Sequence, residues 1–209
     1  MKLFQRLLRR KQPRPQQSLL VAEIVRNLID GCDLLIDLGV RAWLTDGTLL
    51  GYYREQRILQ HDQDADLGLF IEDYSDRILA GFKNAGWELD HVFGNIECGL
   101  QLSFLRNGSK LDLFFFYPEG DRLWHGAWKA EPKGKFRKLI KYYYEPFELR
   151  MVDFLGRQFA VPADTEQYLV TKYGEGWAVE QREWDWAFGP SNAIATEIRL
   201  PRNKKKKVS

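Results

Sequence analysis

Apolar and polar positions along this chain change period several times, and each change marks an element. From Ser18 to Leu38 the apolar residues Leu20, Ile24, Leu28, Leu34, Leu35 and Leu38 fall near helical spacing, with Ser18 as N-cap and Gly39 placed to end the helix. Val40 to Thr45 reads as a short strand, Leu49 to Gln56 as a short helix, Asp66 to Ile71 as a second strand, and Tyr74 to Ala85 as a helix stopped at Gly86. From Trp87 the period drops to two: WELDHVF, GLQLSFL and KLDLFFFY read as strands, the last two joined by a hairpin at Asn107-Gly108, and RLWHGAW adds one more. Phe147 to Val161 divides into two short strands around Gly156, and Pro162-Ala163-Asp164 leads into a helix from Thr165 to Tyr173 that Gly174 ends. Trp184, Trp186 and Phe188 fall in a loop, where aromatics so dense either complete a core or stack on a sugar or base. This order of elements predicts a single α/β domain, a small mixed β-sheet flanked by helices.

Charge changes the picture of the ends. Residues 1–17 and 198–209 together hold 12 of the 31 basic side chains and no acid, so residues 18–197 carry 19 basic against 29 acidic side chains, a net of −10. The expected organisation is therefore a basic N-terminal arm over 1–17, one domain over 18–197 and a basic tail over 198–209. An acidic domain is a poor general binder of nucleic acid and a good host for metal ions, so no specific nucleic-acid partner is expected. In the arm, KLFQRLLRRK puts Leu3, Phe4, Leu7 and Leu8 on one helical face beside Arg6, Arg9 and Arg10, and its apolar run is too short for a signal peptide. Two readings stand for it: a helix lying peripherally on an anionic membrane, or a solvated arm cut off by Pro13 and Pro15. No run of 18 apolar residues offers a membrane span. Cys32 and Cys98 have neither a disulfide framework nor zinc-ligand spacing, which fits a reducing, cytoplasmic setting.

The candidate chemistry sits between Asp46 and Gly68. Asp62, Asp64 and Asp66 alternate, and the two-residue period of a strand projects Asp64 and Asp66 from one face with Ala65 and Leu67 on the other. Either this is a solvated acidic turn, or the repelling pair beside the apolar LGLFI is compensated by a hard cation, Mg²⁺ or Mn²⁺. Upstream, the Gly47-Thr48 turn after WLT presents backbone N–H groups and a helix dipole suited to phosphate. Phosphate beside a carboxylate-held metal is a phosphoryl-transfer arrangement. Asp112 interrupts the apolar run KLDLFFFY; it is either paired with Lys110 or Arg106, or is a third carboxylate brought to Asp64 and Asp66 from an adjacent strand, acting as ligand or as base. His61, His91 and His125 form no ligand spacing.

The succession WLTDGTLLGYYR, HDQDADLG, the strand with Asp112, and VPADTEQYLVTKYGEGW resembles the LicD family of phosphotransferases over roughly residues 20 to 180. The resemblance implies a nucleotidyltransferase-type fold that moves a phospho-alcohol, phosphocholine or a phospho-alditol, from a CDP-linked donor to a glycan or glycolipid at the cell surface. It places the family's metal-binding acidic pair on Asp64 and Asp66 and its D-G-x-L-L-G element on Asp46, Gly47, Thr48 and Gly51. On that reading Gly47 and Thr48 cradle phosphate, Arg54 neutralises charge as the nucleotide leaves, and Asp112 shares a metal or takes the acceptor proton. Gln60-His61 stands where many members have Pro-Trp, and the cysteines of a zinc-binding insertion found in larger animal relatives are missing. Two alternatives share the fold: a true nucleotidyltransferase, and a catalytically silent relative that binds an anionic partner through its basic ends.

Overall fold

The computed structural model describes residues 15–132, 134–181 and 183–201, so the amphipathic stretch of the N-terminal arm and the lysine run of the tail lie outside the described residues. Chain order runs α1 (Pro15–Asp37), β1 (Ala42–Leu44), α2 (Asp46–Glu55), β2 (Asp64–Phe70), α3 (Asp76–Asn84), β3 (Glu88–Asn95), β4 (Cys98–Arg106), β5 (Ser109–Glu119), β6 (Arg122–Ala130), β7 (Phe136–Tyr144), β8 (Leu149–Phe154), β9 (Arg157–Pro162), α4 (Thr165–Tyr173) and β10 (Ala193–Pro201). The expected mixed α/β architecture is what the chain forms, with a sheet larger than the pattern suggested.

β5 is the strand that joins everything. Its first half lies between β2, in parallel register from Asp64↔Lys110 to Phe70↔Phe116, and β4, in antiparallel register from Gln101↔Phe114 to Arg106↔Ser109. Its last residues, from Tyr117 to Glu119, pass on to β6, and the ladder continues through β7 to β10. β1 edges β2, β3 edges β4, and β8 and β9 form a separate hairpin. A strand enclosed on both faces must be apolar almost throughout, and Leu111, Leu113, Phe115 and Phe116 are fully buried. α1 covers this part of the sheet with Ile24, Leu28 and Leu35, and Phe82 of α3 stacks on Phe104 of β4 at 4.1 Å. Each fully buried aliphatic side chain of this kind contributes about 1.5–3 kcal/mol.

Two strands escaped the pattern. In β7 the charges of Arg137, Lys138 and Lys141 break the alternation, and the structure partners them: Arg137 with the Trp128 carbonyl at 3.2 Å, Lys138 with Glu197 at 2.9 Å, Lys141 with Glu119 at 2.7 Å and over the Trp124 ring at 3.9 Å. β10 forms only because it finds β7, from which it is remote in sequence. α1 starts at Pro15, within the stretch read as the arm, and β10 runs to Pro201, within the stretch read as the tail, where Arg199 bonds Glu131 at 2.9 Å. Among the described residues no helix is long and apolar enough to cross a membrane.

Candidate active site

Strand register assembles the site. The parallel β2–β5 pair sets Asp66 beside Asp112, and β4 sets Ser103 beside Asp112 from the other side. Ala65 and Leu67 are fully buried in the core, so Asp64 and Asp66 project to the opposite face, as their alternation predicts. One carboxylate oxygen from each of Asp64, Asp66 and Asp112 lies within 4.8 Å of the other two. Neighbours fix two of the carboxylates in place. Gly47 N–H donates to Asp66 Oδ2 at 3.1 Å, and the Asp66 N–H donates to Thr48 Oγ1 at 2.8 Å. Ser103 Oγ donates to Asp112 Oδ1, and Gln101 Nε2 reaches Asp112 Oδ2 at 3.4 Å.

The electrostatics match a place meant for positive charge. Burial, then the neighbouring Asp64, Asp112 and Asp62 charges, lift Asp66 well above the ordinary carboxylate range. Burial also pushes Asp112 up to about 6, against the pull of Ser103, and raises Asp64, against the pull of Lys110. Asp62 rises to about 7 through burial and the Asp64 charge. Hard oxygen donors at these spacings fit a divalent cation, whose opposed ligands in an octahedral shell stand roughly 4 Å apart. Gly47 keeps the space open, since a Cβ there would sit 3.3 Å from both Asp62 Oδ2 and Asp66 Oδ2. Asp64, Asp66 and Asp112 are thus the residues able to hold Mg²⁺ or Mn²⁺.

The remaining expected residues divide. Asp46, Gly47 and Arg54 line a cleft of about 770 Å³ together with the carboxylates, and Arg54 is held by Glu55 at 3.0 Å. Thr48 and Gly51 are not among the residues that line it. α2 begins at Asp46, so Gly47 and Thr48 form its first turn rather than a turn ahead of it, and both are engaged in holding Asp66. Gly51 serves close packing instead, because a Cβ there would meet the Arg57 carbonyl oxygen at 2.6 Å. Of the histidines, His91 lines the cleft and pairs with Asp90 at 2.7 Å, while His125 is buried, its pKa pulled down to about 3 by burial.

A second wall faces the carboxylates, and the sequence reading missed what it carries. Tyr168 and Lys172 lie four apart on α4 and both dock on the start of α2: the Tyr168 hydroxyl bonds Thr45 Oγ1 at 2.9 Å, and Lys172 Nζ donates to Asp46 Oδ1. Burial draws the Lys172 ammonium down to about 7. Beyond α4, Tyr173, Trp177, Trp184 and Trp186 line the same cleft. The i, i+4 spacing of Tyr168 and Lys172 was the one available signal. A lysine on a short helix ordinarily faces water, and its buried acceptor is remote in sequence.

Residues 39–164 match the family described as LicD/FKTN/FKRP, nucleotidyltransferase domain. The chain is 43% identical over 159 residues to the ribitol-5-phosphate transferase FKTN of Mus musculus, covering 76% of this chain and 34% of that protein. It is 41% identical over 156 residues to FKTN of Homo sapiens, covering 74% and 33%, and 28% identical over 144 residues to the human ribitol 5-phosphate transferase FKRP, covering 66% and 28%. The chain thus spans about a third of the length of these relatives. With a family match over residues 39–164 and relatives 41% and 43% identical over about three quarters of its length, this chain belongs to the LicD/FKTN/FKRP family of nucleotidyltransferase-domain proteins.

Proposed function

We propose that this chain is a metal-dependent phosphotransferase that moves a phospho-alditol, ribitol 5-phosphate first among candidates, from a CDP-linked donor to a glycan or glycolipid hydroxyl. The observation that carries the reading is the convergence of Asp64, Asp66 and Asp112 within 4.8 Å in a family whose named members include ribitol-5-phosphate transferases. Asp64, Asp66 and Asp112 would hold Mg²⁺ or Mn²⁺, which when bound neutralises charge on a diphosphate. The acceptor oxygen forms a new bond to the phosphorus that carries the alditol, the diphosphate bridge breaks, and CMP departs. Two hydrogen-bond donors fix Asp112 toward the other two carboxylates, which supports the ligand role over the base role. Asp62, in the same cleft but outside the cluster, is then suited to take the acceptor proton. Arg54 at the rim would offset charge on the departing nucleotide.

The test supplies CDP-ribitol, CDP-glycerol or CDP-choline with Mg²⁺ and a phosphate-free glycan acceptor. Release of CMP together with a phospho-alcohol on the acceptor, lost on chelation, is expected. The family description keeps a nucleotidyltransferase as the second reading. Diphosphate released from a nucleoside triphosphate, with no CMP from any CDP-alcohol, would establish that second reading. Inertness toward every donor would leave a silent binding protein.

A further inference from the structure

We propose that Lys172 binds the donor's diphosphate from the wall opposite the carboxylates, and that Asp46 holds this ammonium in position until a phosphate arrives. The inference rests on the phosphate-bearing donor proposed above and assigns it a second point of attachment.

Lys172 is built for an anion that the protein itself does not supply. Its side chain is 7% exposed, yet it lines the cleft. An ammonium has three N–H donors, and among the described residues Asp46 is its one acceptor. Its other close neighbours are the Tyr142 and Tyr173 rings, at 5.0 and 5.9 Å, which offer π-faces. A buried cation with donors left unmatched is costly, and phosphate oxygens are the kind of acceptor that would match them. Of the other cations at the cleft, Lys110 leans on Asp90, Arg54 and Arg57 lean on Glu55, and Arg137 donates to the Trp128 carbonyl and lies over the Phe93 ring.

Placement relative to the carboxylates points the same way. Asp46 adopts φ 46°, a left-handed backbone that costs a non-glycine residue energy and collects at working sites. That conformation lets adjacent residues face two ways, with the Asp46 carboxylate on Lys172 and the Gly47 N–H on Asp66. One turn therefore fixes the separation between an ammonium and the carboxylate cluster, two attachment points suited to the two phosphates of one donor. Lys172 also lies beyond the family match, which ends at Asp164.

Binding of CDP, cytidine and inorganic diphosphate, each with Mg²⁺, is to be measured by calorimetry on the wild type, Lys172→Met and Asp46→Asn/Lys172→Met. The double variant leaves no unpaired buried charge and so keeps a folded protein in hand if the single one fails. Both variants should lose about tenfold or more in affinity for CDP and diphosphate, with cytidine affinity unchanged. Wild-type CDP affinity in a folded variant would overturn the assignment, as would equal losses for CDP and cytidine, which would mark a collapsed cleft. A wild type that binds diphosphate through Lys172 but ignores CDP would retain the lysine's role and refute the CDP donor, whereas a wild type that binds neither refutes both.

Discussion

The two walls of the cleft are built on opposite principles. On the carboxylate wall, charge is placed by β-register: Asp64 and Asp66 on β2 and Asp112 on β5, with Gly47 donating to Asp66 and Ser103 and Gln101 of β4 donating to Asp112. On the other wall, one short helix and the described residues that follow it present Lys172, Tyr173, Trp177, Trp184 and Trp186, α4 itself ending at Tyr173. Sheet register fixes positions finely and adapts little, which suits a metal and a reacting phosphorus. Loops carrying aromatics vary without disturbing the core, which suits the recognition of a base or an alditol.

The comparison breaks first at the carboxylates. Asp66→Asn and Asp64→Asn should each lower turnover by roughly 10³-fold or more through loss of the cation, with circular dichroism unchanged. A variant inactive only because it is unfolded would make the pair structural. Asp112→Asn should weaken Mn²⁺ affinity and rate together, and Ser103→Ala, which removes the hydroxyl that donates to Asp112, should cost roughly 10-fold in affinity. Calorimetry with Mn²⁺ decides this, and an unchanged affinity with a lost rate would make Asp112 the base. On the other wall, Trp184→Ala should weaken donor or acceptor binding by about 1–3 kcal/mol through lost stacking and leave Mn²⁺ affinity as it was. If it lowered metal affinity instead, the division of labour between the walls would fail.

The smallest effect is on the metal-free protein. Asp112 and Asp62 are raised to about 6 and about 7, and burial raises Asp66 as well, so the folded state holds protons that the unfolded chain releases near pH 4. Their contribution to stability is complete below pH 4 and is lost as pH rises through 6 and 7. The thermal midpoint without metal should fall by roughly 5 °C between pH 5.5 and 7.5, and Mg²⁺ should abolish the fall. A midpoint flat with pH would mean the carboxylates are already compensated within the protein.

What the sequence disclosed follows the same division. The acidic alternation and the lone aspartate of KLDLFFFY pointed to Asp64, Asp66 and Asp112, because strand period is written locally and an acid in an apolar run stands out. The engagement of Gly47 and Thr48 with Asp66 did not follow, since whether the Gly47 N–H is free depends on the distant carboxylate that takes it. Lys172 was illegible for a related reason, its burial being decided by the distant Asp46 and Tyr142. β7 was hidden by charges whose partners, Glu119 and Glu197, lie on other segments.

The parallel pairing of β2 with β5 also bears on how the protein folds and comes apart. β3, β4 and β5 follow one another through short turns and can close as a local meander, whereas β2 must reach β5 across all of α3, β3 and β4. Such non-local closure is slow and is expected late, so the three carboxylates meet only when the chain is nearly native. A cation bound there would stabilise contacts absent from the folding transition state and would slow unfolding while leaving the folding rate almost untouched. The lifetime of the native protein would then be set by the dissociation of its metal, and cells that withhold the ion would shorten it.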